Sequence, residues 1–173
     1  MSAGVMSELD AMSDSLGLHR SSSWAWYHEM GRPRVWLAPL VGYSDVAFRL
    51  LARSCGADVC HTQMIDAGRA CRDEAYARSF FAAAGTDLAA LDRPLIAQLG
   101  GGDPEEVGAA AAVLARVASV DGIELNMGCP QQCAKKGGYG AFLMEDVNRA
   151  TACVSAIRAA LVGLNSCGTL CKI

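Results

Sequence analysis

Fifteen residues of this chain, from Asn126 to Gly140, hold side-chain amides, thiols, a proline, two lysines and several glycines. Cys129 stands between Gly128 and Pro130. Proline fixes its own φ and restricts the residue before it, so the thiol sits on a tightly constrained backbone and can be aimed. Lys135 and Lys136 add positive charge of the kind that grips a phosphate backbone. The chemistry open to such a loop is that of one directed thiol beside a polyanion. A buried cysteine in a turn with two solvated lysines would look the same, and one cysteine does not decide between them.

Gly100-Gly101-Gly102 form a second candidate, because they follow an apolar run and precede a helix start, as a phosphate-cradling turn would. The dinucleotide pattern fails, since Glu105 stands where its third glycine belongs. Glu105 and Glu106 would also repel a phosphate at that helix N-terminus. A flexible strand-to-helix turn is the better description.

The elements that must carry these loops alternate between strand and helix. Residues 34–38 are a buried strand ending at Pro39, and residues 45–54 a helix stopped by Gly56. Residues 58–62 are a second strand, 69–83 a helix, and 94–99 a third strand. Asp103-Pro104-Glu105-Glu106 is the clearest helix start, with a capping aspartate, a proline in the first turn and acids facing the helix dipole. That helix runs to about Ala118. Residues 122–125 are a fourth strand, 126–140 a loop, 146–161 a helix, and 169–173 a fifth strand. Helices between short apolar strands imply parallel pairing by right-handed crossovers. A (β/α)8 barrel and an open doubly wound sheet both satisfy this pattern, and both place their sites at the C-terminal strand ends, where the loop from Asn126 falls.

At 52% hydrophobic and 19% charged, 173 residues suffice for one sizeable core. No run of about 18 apolar residues is present for a membrane span. Glu8, Asp10 and Asp14 break up the Ser- and Met-rich opening, so residues 1–23 read as a mobile leader rather than a secretory signal. The net charge of -3 excludes binding to nucleic acid by bulk electrostatics and leaves room for a local basic groove. The eight cysteines (Cys55, Cys60, Cys71, Cys129, Cys133, Cys153, Cys167 and Cys171) contain no C-x-x-C pair, and His19, His28 and His61 are scattered. Free thiols in a reducing, cytoplasmic setting and no metal site are the expectation.

Several stretches, in order, carry a family likeness. Residues 37–49, Leu-Ala-Pro-Leu-Val-Gly-Tyr-Ser-Asp-Val-Ala-Phe-Arg, resemble the opening strand and turn of the tRNA-dihydrouridine synthases. Thr62-Gln63-Met64-Ile65, Ile96-Ala97-Gln98-Leu99-Gly100 and the run from Gly122 to Pro130 follow in that family's order. Pro130-Gln131, Ala134-Lys135-Lys136-Gly137 and Tyr139-Gly140-Ala141-Phe142-Leu143 look most like the eukaryotic branch acting on tRNA positions 16 and 17, with weaker agreement over residues 26–33. The likeness extends from about residue 24 to residue 173.

The resemblance implies a flavin-binding (β/α)8 barrel, FMN as cofactor, NAD(P)H as reductant and tRNA as partner. Pro39, Leu40 and Val41 match the turn lying against FMN, with Leu40 where a methionine is common. Gln98 matches a glutamine bonded to the flavin ring, and Lys172 a lysine beside it. Cys129 matches the proton donor and Asn126 the asparagine near the target uracil. Lys135, Lys136 and Tyr139 fall among the positions expected to meet tRNA. The chemistry suits these types: the C5–C6 bond of uracil is conjugated to a carbonyl, accepts hydride at C6 and needs a proton at C5. A free cysteine is about 97% protonated at pH 7 and can serve as that acid.

A full barrel of this kind takes about 250 residues. The expectation is therefore an N-terminal part of the barrel reaching its fifth strand, without the tRNA-binding helical domain and inactive by itself. A dihydroorotate dehydrogenase-like flavin enzyme, or a non-catalytic isoform binding a partner through its open strand edges, are the competing readings.

Overall fold

The computed structural model describes residues 26–162 and 168–172. The expected leader at 1–23 and the last residue lie outside them. The chain divides into two units, Met1–Pro33 and Arg34–Ile173. In the first, residues 26–29 are helical and the run ends at Gly31-Arg32-Pro33, where the Tyr27 hydroxyl donates to Pro33 O at 3.2 Å.

The second unit begins with β1 (Trp36–Leu37), α1 (Val46–Ser54), β2 (Val59–His61) and β3 (Ile65–Asp66). Three short helices follow, α2 (Ala67–Ala70), α3 (Glu74–Arg78) and α4 (Asp87–Leu91). Next come β4 (Leu95–Gly100), α5 (Pro104–Val117), β5 (Gly122–Asn126) and α6 (Gln132–Gly137). A 3-10 segment at Gly140–Glu145, α7 (Val147–Ala160) and β6 (Gly168–Lys172) complete it. Every strand pairing is parallel, in the order β1-β2-β4-β5-β6, with β3 pairing the far end of β4. A doubly wound sheet reverses its strand order at a switch point, and this sheet never does. Consecutive parallel order with helical crossovers is the arrangement of a (β/α)8 barrel wall, in which β6 is the fifth strand once the two-residue β3 is set aside.

Strand alternation divides the residues between two faces. Ala97, Leu99, Ile123 and Leu125 enter one core with Val107, Ala110, Ala111 and Leu114 of α5 and Cys153 and Ile157 of α7. A Cβ on Gly108 would come within 3.1 Å of the Ala156 Cβ, so the two helices touch through small residues. The opposite face of β4 and β5 carries Gln98, Glu124 and Asn126, all buried.

Local chemistry explains most element ends. Asp103 accepts from the backbone N–H of Glu105 and Glu106 at 2.9 and 3.0 Å, with Pro104 in the first turn, as the sequence predicts. Asp45 and Asp146 cap α1 and α7 in the same way. The helix expected over residues 69–83 is broken. Asp66 accepts from Arg69 N and Asp73 from Tyr76 N, and each aspartate opens a fresh short helix instead of continuing one. β3, α4 and α6 also form where the sequence reading has none.

Arg49, in the middle of α1, is fully buried. Its guanidinium donates to both Asp92 carboxylate oxygens, at 2.6 Å for the shortest contact, to Ser44 O at 2.7 Å and to Phe80 O at 3.1 Å. One side chain thus ties the turn after β1 to the segment leading into β4. Removing Arg49 would leave Asp92 with only the looser contact to Arg53 Nε at 3.7 Å, and breaking a buried pair costs about 3–5 kcal/mol. Arg49→Met is expected to lower unfolding free energy by that order in a denaturant titration, whereas a loss below ~1 kcal/mol would contradict this description.

Candidate active site

Glu124 and Gln98 lie opposite each other in the β4–β5 register, and Gln98 Nε2 donates to Glu124 Oε1 at 2.5 Å. Asn126, two residues further along β5, donates from Nδ2 to Gln98 Oε1 at 3.1 Å. Its own carbonyl, Oδ1, accepts from the backbone N–H of both Gly128 and Cys129 at 3.0 Å. On the other side of Glu124, its Oε2 is 3.1 Å from His61 Nε2, and His61 Nδ1 is 2.8 Å from Leu37 O. The His61 ring thus bridges the Leu37 carbonyl and the Glu124 carboxyl group, one ring nitrogen to each. The result is one line of hydrogen bonds from β1 through β2, β5 and β4 to the backbone of Cys129.

The loop that this line reaches is packed from several directions. Ala141 N donates to Cys129 O at 3.0 Å. Gly140 has φ +64, and a Cβ there would strike the Cys129 carbonyl and lie 3.1 Å from its Cβ. Arg149 of α7 donates from Nε to Gly102 O and from Nη2 to Gly138 O at 3.0 Å, joining the loops after β4 and β5. Cys129 itself is half-buried, just past the C-terminal end of β5 and outside the hydrophobic core. Tyr139 is buried and donates its hydroxyl to Cys133 Sγ at 3.7 Å. Burial first, then that hydrogen bond and the neighbouring thiols, push its phenol up to about 12. Lys135 and Lys136 are exposed on α6, with Lys135 Nζ 5.8 Å from the centre of the Phe142 ring.

The turn after β1 contributes the remaining expected residues. Leu40 N donates to Ser44 Oγ at 2.9 Å, and Gly42 N to Gln63 Oε1 at 2.8 Å. Pro39 is half-buried while Leu40 and Val41 are exposed. The Lys172 backbone pairs with Asn126 in the β5–β6 register; its side chain lies outside the described residues. Gln98, Asn126 and Cys129 are thus in direct contact as a group, and Lys172 joins them through backbone register.

The glycines after β4 serve packing. A Cβ on Gly100 would meet Met64 Sδ at 2.7 Å, and one on Gly101 would meet Ala67 and Val107. A Cβ on Gly102 would strike the Gly138 carbonyl. Met64 uses the space over Gly100 to reach Asn126 Nδ2 at 3.4 Å. His61, Glu124, Met64 and Arg149 carry the site and were assigned no role from sequence. Alternation along β5 was the available signal: Glu124 and Asn126 share the face opposite the core residues Ile123 and Leu125. Among the described residues no cluster of His, Cys, Asp or Glu is arranged to hold a metal ion, and no helix is long and apolar enough to cross a membrane. A cavity of about 350 Å³ lies at the opposite, N-terminal strand ends, lined in part by Phe81, Thr86, Asp92, Arg93, Leu95 and Ser119.

A parallel α/β wall with a polar inner face and a thiol loop at its C-terminal end is the layout of a barrel enzyme. A family model described as "Dihydrouridine synthase (Dus)" matches residues 36–164. The chain is 41% identical over 123 residues to the tRNA-dihydrouridine(16/17) synthase of Schizosaccharomyces pombe, covering 71% of this chain and 30% of that protein. It is 44% identical to the corresponding synthase-like protein of Rattus norvegicus, over 70% of this chain and 26% of that one. With the Saccharomyces cerevisiae enzyme the identity is 38%, over 69% and 27%. The chain belongs to the dihydrouridine synthase family. It spans between a quarter and a third of the length of these curated relatives.

The six cysteines whose side chains are described, Cys55, Cys60, Cys71, Cys129, Cys133 and Cys153, are free thiols. Cys55 and Cys133 are exposed, while burial pushes the Cys60 and Cys153 thiols up and leaves them less thiolate. Timed alkylation with iodoacetamide, mapped by mass spectrometry, should label Cys55 and Cys133 first, Cys71 and Cys129 later, and Cys60 and Cys153 last. Early labelling of Cys153 would contradict this packing.

Proposed function

We propose that the protein containing these residues reduces uridine to 5,6-dihydrouridine in tRNA, with FMN as cofactor, NAD(P)H as reductant and Cys129 as proton donor. One observation carries the reading. Gln98, Asn126 and Cys129, which the family likeness assigns to flavin, uracil and proton delivery, are joined by consecutive hydrogen bonds at the C-terminal strand ends. The S. pombe and S. cerevisiae relatives are named tRNA-dihydrouridine(16/17) synthase with NAD(P)(+), which supports the substrate and the reductant.

The residues present fit a flavin ring. Exposed Leu40 and Val41 offer an apolar surface, and the Gln98 amide retains one hydrogen and one lone pair beyond its bonds to Glu124 and Asn126. Pro39, Leu40, Val41, Gln98 and Lys172 would hold the cofactor, which supplies hydride to C6 of uracil when bound. Asn126 holds the Cys129 backbone in place and stands where the base would be recognised. Cys129 holds a proton for C5, breaking its S–H bond as the new C–H bond forms. Lys135 and Lys136, both exposed, would meet tRNA phosphates, and the target base must leave its stack to reach the thiol. The protein would work with its thiols reduced, in a cytoplasmic setting.

The test is mass-spectrometric measurement of dihydrouridine in tRNA after incubation with the whole gene product. General acid catalysis contributes about 10²–10⁴-fold, so Cys129→Ala should cut product formation by that range while FMN binding persists. Unchanged turnover in that variant would remove the assigned role.

A further inference from the structure

We infer that Glu124, backed by His61, is a positioning residue that, together with the Gly128 and Cys129 N–H groups at the other end of the line, holds the Gln98 amide in one orientation and thereby orders the site up to the Cys129 backbone. The inference rests on the flavin reading above for its catalytic meaning and on geometry alone for its structural part.

A carboxamide is nearly the same shape in its two flipped forms, so only its partners decide where nitrogen and oxygen lie. Here the partners at both ends of the line are fixed. An ionised carboxylate accepts and cannot donate, so Glu124 Oε1 demands Nε2 from Gln98. At the other end, the N–H groups of Gly128 and Cys129 can only donate, so Asn126 must turn Oδ1 toward them. That leaves Asn126 Nδ2 for Gln98, which must answer with Oε1. The two ends therefore demand the same orientation of Gln98, with no amide left free to flip. His61 completes the arrangement by occupying the second Glu124 oxygen while its other nitrogen bonds Leu37 O, fixing the carboxylate from behind. All four side chains are buried, which strengthens these bonds and makes an unmatched one costly. The consequence is a defined order of remaining hydrogen and lone pair along the Gln98 edge, the edge read as facing the flavin ring.

Glu124→Gln preserves shape and removes the obligate acceptor. In the whole gene product, two readouts follow it: FMN fluorescence quenching, and hydrogen exchange of the peptide containing Gly128 and Cys129, with α5 peptides as the control for global stability. Losing a charge-assisted partner should raise exchange at Gly128 and Cys129 and weaken FMN binding about ten-fold, with α5 unchanged. A second variant, Glu124→Gln combined with Gln98→Glu, returns a carboxylate to the pair at the other position. It should restore protection of Gly128 and Cys129 while FMN binding stays weak, because position 98 no longer offers a hydrogen. Wild-type exchange in Glu124→Gln, or an equal rise in α5, would overturn the positioning role. A wild-type protein that quenches no FMN would instead sink the flavin reading, with the exchange contrast still deciding the structural part.

Discussion

The hydrogen bond between Glu124 and Gln98 is the contact on which the ordering of this site depends. Side chains on the inner face of a parallel sheet are removed from water, and a buried carboxylate there is tolerable only when its oxygens are matched. Glu124 receives Gln98 on one oxygen and His61 on the other. The neighbouring amide of Asn126 is then directed outward to the loop that follows β5. Register makes this possible: parallel pairing puts Gln98 directly across from Glu124 and leaves Asn126 one pleat closer to the strand end. A one-residue slip of β5 would turn Glu124 and Asn126 into the helix-facing core.

Around that line the fold works as a frame. The outer face of β4 and β5 is pinned by α5 and α7, which approach through Gly108 and Ala156. Arg49 and Asp92 fix the turn after β1, and Arg149 bolts the loop after β5 to the loop after β4. The residues around Cys129, between β5 and α6, have no regular structure, so their precision comes from these outside contacts and from Gly140, whose missing side chain lets the backbone fold onto Cys129.

Much of this was legible in the sequence where signals are local. The capping aspartate at Asp103, the strands at Leu95–Gly100 and Gly122–Asn126, and the placing of the thiol loop at a strand end all follow from short-range chemistry. The family likeness pointed to Gln98, Asn126 and Cys129, and the structure joins them. Other features were out of reach because they depend on residues far apart in the chain. His61 looked scattered because its partner Glu124 is 63 positions away. Helix and strand periodicity do not encode strand order, so they left barrel and doubly wound sheet open; the family likeness favoured the barrel and the strand pairings bear it out. The three glycines after β4 resemble a phosphate turn in isolation, and only Met64, Val107 and Gly138 show that they are there to let other groups approach. The broken helix at Asp73 reflects a capping side chain that outcompeted an otherwise favourable helical composition.

In the proposed reaction the thiol held at the end of this line hands its proton to a pyrimidine whose other face receives hydride. Anaerobic stopped-flow absorbance measures it most directly: the whole gene product is loaded with FMN, reduced, and mixed with tRNA lacking dihydrouridine. Oxidation of the bound flavin by tRNA should be fast in the wild type and slower by about 100-fold or more in Cys129→Ser, with flavin reduction by NAD(P)H unchanged. Equal rates of flavin oxidation by tRNA in the two proteins would contradict it.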